Sequence, residues 1–137
     1  MKLEKKPLLV LLACCVLAVG VAQGASAQMM DKLAKTTPHE RAGIQTAFMK
    51  SKLGLQGEEL AKVEAINLKF AEQAEPIIKG SEGPLMKMRH MKSVQQEKDV
   101  ALKGVLTPQQ FSTYQASRVE MKQKFEEAIA KKAAANP

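Results

Sequence analysis

The 137-residue sequence has no tryptophan, one tyrosine and four phenylalanines. Its two cysteines, Cys14 and Cys15, both lie near the N-terminus, so the chain from residue 28 onward has no thiol for a disulfide, a thiolate metal site or a cysteine nucleophile. It also lacks a glycine-rich phosphate loop, and neither histidine has a neighbouring pattern that would make a nucleophile. The sequence therefore predicts neither an enzyme nor a bound cofactor.

Residues 1–27 have the three parts of a secretory signal peptide. Lys2, Lys5 and Lys6 form a positive start, an apolar stretch follows over 8–22, and residues 25–27 are small, which predicts cleavage before Gln28. The apolar stretch weakens after residue 22, and a membrane-spanning helix needs about 20 strongly apolar residues. We therefore expect an exported, periplasmic protein whose mature chain has no transmembrane segment.

An alternative for the leader is lipidation of Cys14. Residues 11–13 form a loose lipobox before this cysteine, which would then become the new N-terminus. Because the apolar sequence continues past the cysteines to Ala22, cleavage near Ala27 fits the leader better.

The charge of the predicted mature chain is mildly positive. Residues 28–137 carry 18 Lys and Arg against 13 Asp and Glu, a net charge of +5. The aromatic residues lie in apolar stripes. A surface that binds nucleic acid would instead have aromatic residues among the basic ones. We expect no nucleic-acid partner.

The patterning from residue 37 onward predicts an all-α domain. Thr37 and Thr107 each precede a proline and have Glu or Gln three residues later, the pattern of a capping box at a helix start. Apolar residues recur at threes and fours between the breakers, and period-two alternation is absent. We predict a four-helix domain over 37–133, preceded by a flexible arm over 28–36 and followed by a disordered tail over 134–137. The predicted helices span about 38–52, 57–78, 84–104 and 108–133.

The segment Leu106-Thr107-Pro108-Gln109-Gln110 matches the LTxxQ motif of the Spy/CpxP-like periplasmic proteins, here with Leu106, Thr107 and Gln110 at the motif positions. Residues 53–60 occupy the place of that family's second copy in a degenerate form. The leader, the helical plan and the mild basicity also resemble the family. The resemblance implies a Spy-like hairpin or cradle, an antiparallel homodimer, and either ATP-independent chaperone activity under envelope stress or a response to metal.

The third predicted helix is basic and has no aromatic residue. Its wheel predicts a cationic face opposite an apolar stripe of Met88, Met91, Val94 and Leu102, and no acid occurs between residues 84 and 96. Flexible thioethers beside cations suit loose binding of many unfolded segments. The alternative is a methionine core with a solvated basic face. We expect unfolded or partly folded envelope proteins to bind at the following residues: Met86, Lys87, Met88, Arg89 and Lys92.

The same segment suggests a soft-metal site, because thioethers and imidazole bind copper(I) and silver. Met86 and His90, four residues apart, share a helix face, whereas Met88 and Met91 lie elsewhere on the helix. Two ligands from one helix need a partner, so a periplasmic protein that binds or senses zinc, copper or silver is the alternative function. Regulation of an envelope-stress sensor is a further one.

Two polar residues, Asn67 and Arg118, lie within otherwise apolar stripes. Each must find a hydrogen-bonding partner or reach solvent, because unpaired burial is costly. For Arg118 the two interpretations are a side chain that reaches solvent at a helix crossing and a dimer seam where it meets a carboxylate of another subunit.

Overall fold

The computed structural model describes residues 27–136, and this part of the chain is helical throughout and contains no strand. The predicted leader, including Cys14, lies outside the described residues apart from Ala27. All four predicted helices are present, but the described part of the chain also has an additional N-terminal helix and a break in the last predicted helix. The helices are α1 (27–34), α2 (Pro38–Leu53), α3 (Gly57–Lys79), α4 (Pro84–Lys103), α5 (Pro108–Ala116) and α6 (Arg118–Ala135).

Helices α2, α3 and α4 run antiparallel in succession, and α6 returns along α2. Arg41 near the start of α2 pairs with Glu75 near the end of α3, and the ammonium of Lys87 at the start of α4 reaches the Ile78 carbonyl at the end of α3. Lys132 near the end of α6 pairs with Glu40 at 3.4 Å, and Glu120 near its start pairs with Lys52 at 2.6 Å. Because these pairs join opposite ends of α2 and α6, the two helices are antiparallel.

Local sequence explains where α2 and α5 begin. The hydroxyl of Thr37 accepts from the Glu40 amide at 3.2 Å, and that of Thr107 accepts from the Gln110 amide at the same distance. The Glu40 and Gln110 side chains accept from the two cap amides in return, so both predicted capping boxes are present. At the degenerate copy, Gln56 caps α3 without any side-chain hydrogen bond.

The segment 28–36, for which we predicted a flexible arm, is helical as far as residue 34, and Leu33 is buried. The guanidinium of Arg41 donates to the carbonyls of Leu33 at 3.1 Å and Thr36 at 2.6 Å, which satisfies acceptors at the end of α1. It also donates to Glu75 on α3. The order of α1 therefore comes from tertiary contacts, which local periodicity does not report. At the other end of the chain, α6 extends through Ala135, two residues beyond the predicted boundary.

The last predicted helix, 108–133, is interrupted at Ser117, which has φ −90° and ψ 1°. Its hydroxyl donates to the Thr113 carbonyl at 2.7 Å, and its amide is shared between the carbonyls of Thr113 and Tyr114. Serine hydroxyls that bond back to the preceding turn bend helices. The prediction of a single helix for this segment is therefore wrong, because the chain forms two helices that are separated at Ser117.

The core consists of two apolar clusters with buried polar groups between them. One cluster joins the ends of α2 and α4 and the first part of α3 to α5, and it includes Met49, Val63, Leu102 and Tyr114. The other joins α1, the end of α3 and α6 and includes Ile78 and Ile129. The buried polar groups lie on the segments between the clusters: Thr46, Asn67 and Lys98, with the partly buried Gln45 as the partner of Lys98.

Candidate binding surface

The N-terminal half of α4 exposes large apolar side chains. Leu85, Met86 and Met88 are 56%, 41% and 62% exposed. Gly83 caps this helix without a side-chain hydrogen bond, and the first turn has no acidic residue. This end of α4 therefore presents apolar groups and free backbone amides to solvent.

Arg89 and Lys92 are exposed on the same half of the helix. Neither forms an ion pair with any residue in the 27–136 range. Lys87 differs, because it is partly buried and its ammonium donates to the Ile78 carbonyl at 3.0 Å, near the end of α3. Lys87 therefore fastens α3 to α4, and its ammonium is less available to a client than was predicted.

Met88 does not lie in the inner stripe where the sequence interpretation placed it. The inner side of α4 holds Met91, Val94, Lys98 and Leu102, each three or four residues apart. Spacings of three and four place Leu85, Met88 and Lys92 together on the outer side. The interpretation in which Met88 is core is therefore wrong, whereas Met91 does pack in the core. We call the outer set the α4 patch: Leu85, Met86, Met88, Arg89 and Lys92.

The C-terminal half of α4 is held by a polar cluster. Asp99 accepts from the Tyr114 hydroxyl at 2.8 Å, from the Gln95 amide at 2.8 Å and from Arg118 at 3.0 Å. Burial and the hydrogen bond to Asp99 raise the pKa of Tyr114 above its usual range. The carboxylate that Arg118 meets therefore belongs to its own chain, and Arg118 itself is exposed. A homodimer remains a prediction, without Arg118 as its specific support.

Lys98 is a buried residue that the sequence interpretation missed. Its side chain donates to the Gln45 carbonyl oxygen on α2, and only 5% of the residue is exposed. Burial lowers its pKa to about 8, and the nearby charge of Asp99 opposes this shift. The available signal was its position seven residues after Met91, within the inner stripe.

Asn67, the other polar residue that interrupts a stripe, is fully buried. Its amide donates to the Thr46 hydroxyl at 2.9 Å and approaches the Met49 sulfur at 3.6 Å, while its carbonyl oxygen has no hydrogen-bond partner. Asn67 therefore links α3 to α2. Its unsatisfied carbonyl oxygen lowers the stability of the fold.

The motif residues have structural positions. Leu106 is buried in the first cluster, and Thr107 with Gln110 forms the capping box of α5. The motif thus positions α5 against the end of α4. None of its residues belongs to the α4 patch.

The predicted metal ligands, Met86 and His90, lie one turn apart at the start of α4. The imidazole Nδ1 of His90 lies 2.9 Å from a Glu82 carboxylate oxygen. Within residues 27–136 there is no group of three His, Cys, Asp or Glu side chains placed to hold a metal ion. Metal binding stays a prediction that needs a further ligand from elsewhere.

In the part of the chain that the structure describes, every helix is too short or too polar to cross a membrane. This agrees with the expectation for the segment after the leader.

Comparison with known proteins gives one family. The family model of DUF4890, described as a domain of unknown function, matches residues 22–114, which run from the end of the predicted leader to Tyr114 within α5. No curated protein and no solved structure matches the chain. With about two thirds of its length matched, the chain belongs to the DUF4890 family.

Proposed function

We propose that this protein is an exported, ATP-independent chaperone that binds unfolded or partly folded envelope proteins at the α4 patch. The observation that carries the proposal is the joint exposure of Leu85, Met86 and Met88 beside two cations that form no ion pair within residues 27–136. Export and a homodimer are parts of the proposal that rest on the leader and on the resemblance to the Spy/CpxP-like proteins.

The chemistry of the patch suits clients of variable sequence. Methionine side chains are flexible and polarizable, so they pack against irregular apolar segments without a fixed shape. Arg89 and Lys92 attract acidic segments over a distance set by the ionic strength, about 10 Å at 0.1 M salt. Weak contacts of both kinds permit binding and release without nucleotide.

The geometry also explains why the patch stays available. Lys87 and the inner stripe fix α4 against α3, so the outer side chains are presented by an ordered helix. No acid lies between residues 84 and 96 to neutralise Arg89 or Lys92 from the same helix. Arg89 and Lys92 are therefore available to pair with acidic groups of a partner.

The test is suppression of aggregation. The purified protein, at equimolar ratio and low salt, should reduce light scattering from a chemically denatured client that aggregates on dilution. Arg89→Glu with Lys92→Glu should weaken this suppression severalfold, because the double variant reverses the charge beside the apolar groups. Leu85→Gln with Met88→Gln should weaken it at both low and high salt, because it removes apolar contact.

The matched control is Lys103→Glu with Lys131→Glu. Both lysines are exposed, neither belongs to the α4 patch, and the double variant changes the net charge by the same amount. It should suppress aggregation as the unaltered protein does. An inactive unaltered protein, or equal losses in the patch and control variants, would contradict the proposal.

A further inference from the structure

A cavity of about 90 Å³ lies beside the second apolar cluster, between α1, α2, α3, α4 and α6. It is partly open to solvent, and most of its exposed lining is apolar. The apolar lining comes from large side chains on several elements, among them Leu33, Phe70, Ile78, Met91 and Phe125. The α4 patch contributes no residue to it, so the cavity is a separate feature of the molecule.

Two cations, Arg41 and Lys98, line the cavity, and they differ in how far their charges are satisfied. The Arg41 guanidinium pairs with Glu75 and also donates to carbonyls of α1 and α3. Burial alone would raise the pKa of Glu75, but hydrogen bonds from Lys79 and Arg41 outweigh it and hold that pKa below its ordinary value. Arg41 is therefore a neutralised structural group.

Lys98 has no such neutralisation. Within residues 27–136 its one hydrogen-bond acceptor is the Gln45 side-chain oxygen, a neutral group, although an ammonium has three N–H donors. The adjacent Asp99 directs its carboxylate to Tyr114, Gln95 and Arg118. With its pKa near 8, Lys98 is mostly protonated at neutral pH. A buried cation with spare donors and no carboxylate bonded to its ammonium within residues 27–136 therefore borders an apolar space.

We propose that this cavity binds a small organic monocarboxylate, whose carboxylate pairs with the Lys98 ammonium and whose short alkyl group packs against Phe70, Ile78 and Phe125. Charge and shape both limit the ligand. The carboxylate supplies the counter-charge that burial of a cation requires. A dry apolar cavity of about 150 Å³ accepts benzene, so the present space accommodates an alkyl group of roughly three carbons.

The test compares two molecules of nearly equal shape on the unaltered protein at pH 7. Propionate carries the carboxylate, and propionamide is its neutral counterpart. Binding is followed by the NMR signals of isotopically labelled lysine side chains, with sodium chloride added to equalise ionic strength. Propionate should produce saturable changes at one lysine, and its affinity should be at least tenfold that of propionamide.

Two variants on the same helix locate the site. Lys98→Met keeps the side-chain volume and removes the charge, and it should lose the labelled lysine signal that responds and at least tenfold in propionate affinity, measured by calorimetry. Lys103→Met removes an exposed lysine and should bind propionate unchanged. Because the propionate and propionamide comparison uses the unaltered protein, it holds whatever the stability of either variant.

Three outcomes overturn the proposal. They are equal affinity for propionate and propionamide, unchanged propionate binding in Lys98→Met, and no saturable binding in the millimolar range, which would mean that water alone fills the space. Aggregation suppression by the α4 patch is measured separately, so this proposal and the proposed function stand or fall independently.

Discussion

The two halves of α4 are similar in composition but differ in how their side chains contact the rest of the fold. In the first half, apolar and basic side chains project outward, and contact with the rest of the fold comes mainly through Lys87 and Met91. In the second half, Leu102 is completely buried, Lys98 is buried, and Asp99 binds Tyr114 and Arg118. The C-terminal half holds the helix in the fold, and the N-terminal half exposes the α4 patch.

The difference teaches that exposure along one helix is decided by its neighbours. Both halves are rich in polar and charged residues, and neither has an aromatic residue. Helix α5 and the polar cluster around Asp99 cover one side of the second half, which still exposes Val100 on its other side, whereas nothing in the described chain covers Leu85 or Met88. The patch is therefore a consequence of topology as much as of composition.

The largest expected effect separates two leucines of the same helix. Leu102→Ala should lower the free energy of unfolding by about 2–5 kcal/mol, because it leaves a cavity in a fully buried site. Leu85→Ala should change it by less than about 0.5 kcal/mol, because that side chain is exposed. Urea unfolding followed by circular dichroism measures both. Similar losses for the two variants would remove the distinction between the halves.

The next effect concerns Lys98 and pH. Its pKa is about 8 in the folded chain and 10.5 in the unfolded chain, so between these values the unfolded state binds more protons and stability rises with pH. At 1.36 kcal/mol per pH unit, the rise between pH 8 and 10 is about 2 kcal/mol. Above about pH 10 the rise should reverse, because Tyr114 ionises in the unfolded chain while its raised pKa keeps it protonated in the folded one.

The variant that isolates this effect is Lys98→Met. It should be more stable than the unaltered protein at pH 7, and its stability should lack the rise above pH 8. Chemical unfolding at a series of pH values measures both. If Lys98→Met keeps the same rise, the ammonium is not the group that titrates there.

The smallest effects come from the helix starts. Thr107→Ala should lower the free energy of unfolding by about 1 kcal/mol, because it breaks the capping box of α5. Gly83→Ser should raise it by only a few tenths of a kcal/mol, because α4 lacks a side-chain cap and glycine is already tolerated there. Thermal unfolding compares the pair, and an equal response at both positions would contradict the difference between the two helix starts.

The sequence predicts much of the fold because helix starts are local. Thr37 and Thr107 encode their caps within four residues, so their position needs no knowledge of the rest of the chain. Helix α1 could not be predicted in this way, since its carbonyls are satisfied by Arg41 from the next helix. The break at Ser117 accompanies a hydroxyl hydrogen bond to the Thr113 carbonyl, which a helical wheel does not represent.

The candidate sites show the same limit. The basic, acid-free half of α4 is visible in the sequence, and Arg89 and Lys92 are exposed as predicted. The sequence interpretation placed Met88 in the apolar stripe of α4, with a core position as the alternative to client binding, and it overlooked Lys98, because lysine is expected at the surface. Only the packing of the neighbouring helices shows that Lys98 is buried, with Gln45 of α2 as its partner, and that Met88 is exposed.

The most direct measurement of the account is site-specific crosslinking to a defined denatured client. A photoreactive amino acid is placed at Met88 in one protein and at Val100, which is 74% exposed on the other half of α4, in a second. Crosslinks to the client should form at position 88 and be at least several times weaker at position 100. Equal crosslinking at the two positions, or crosslinking only at 100, would contradict the assignment of client binding to the N-terminal half of α4.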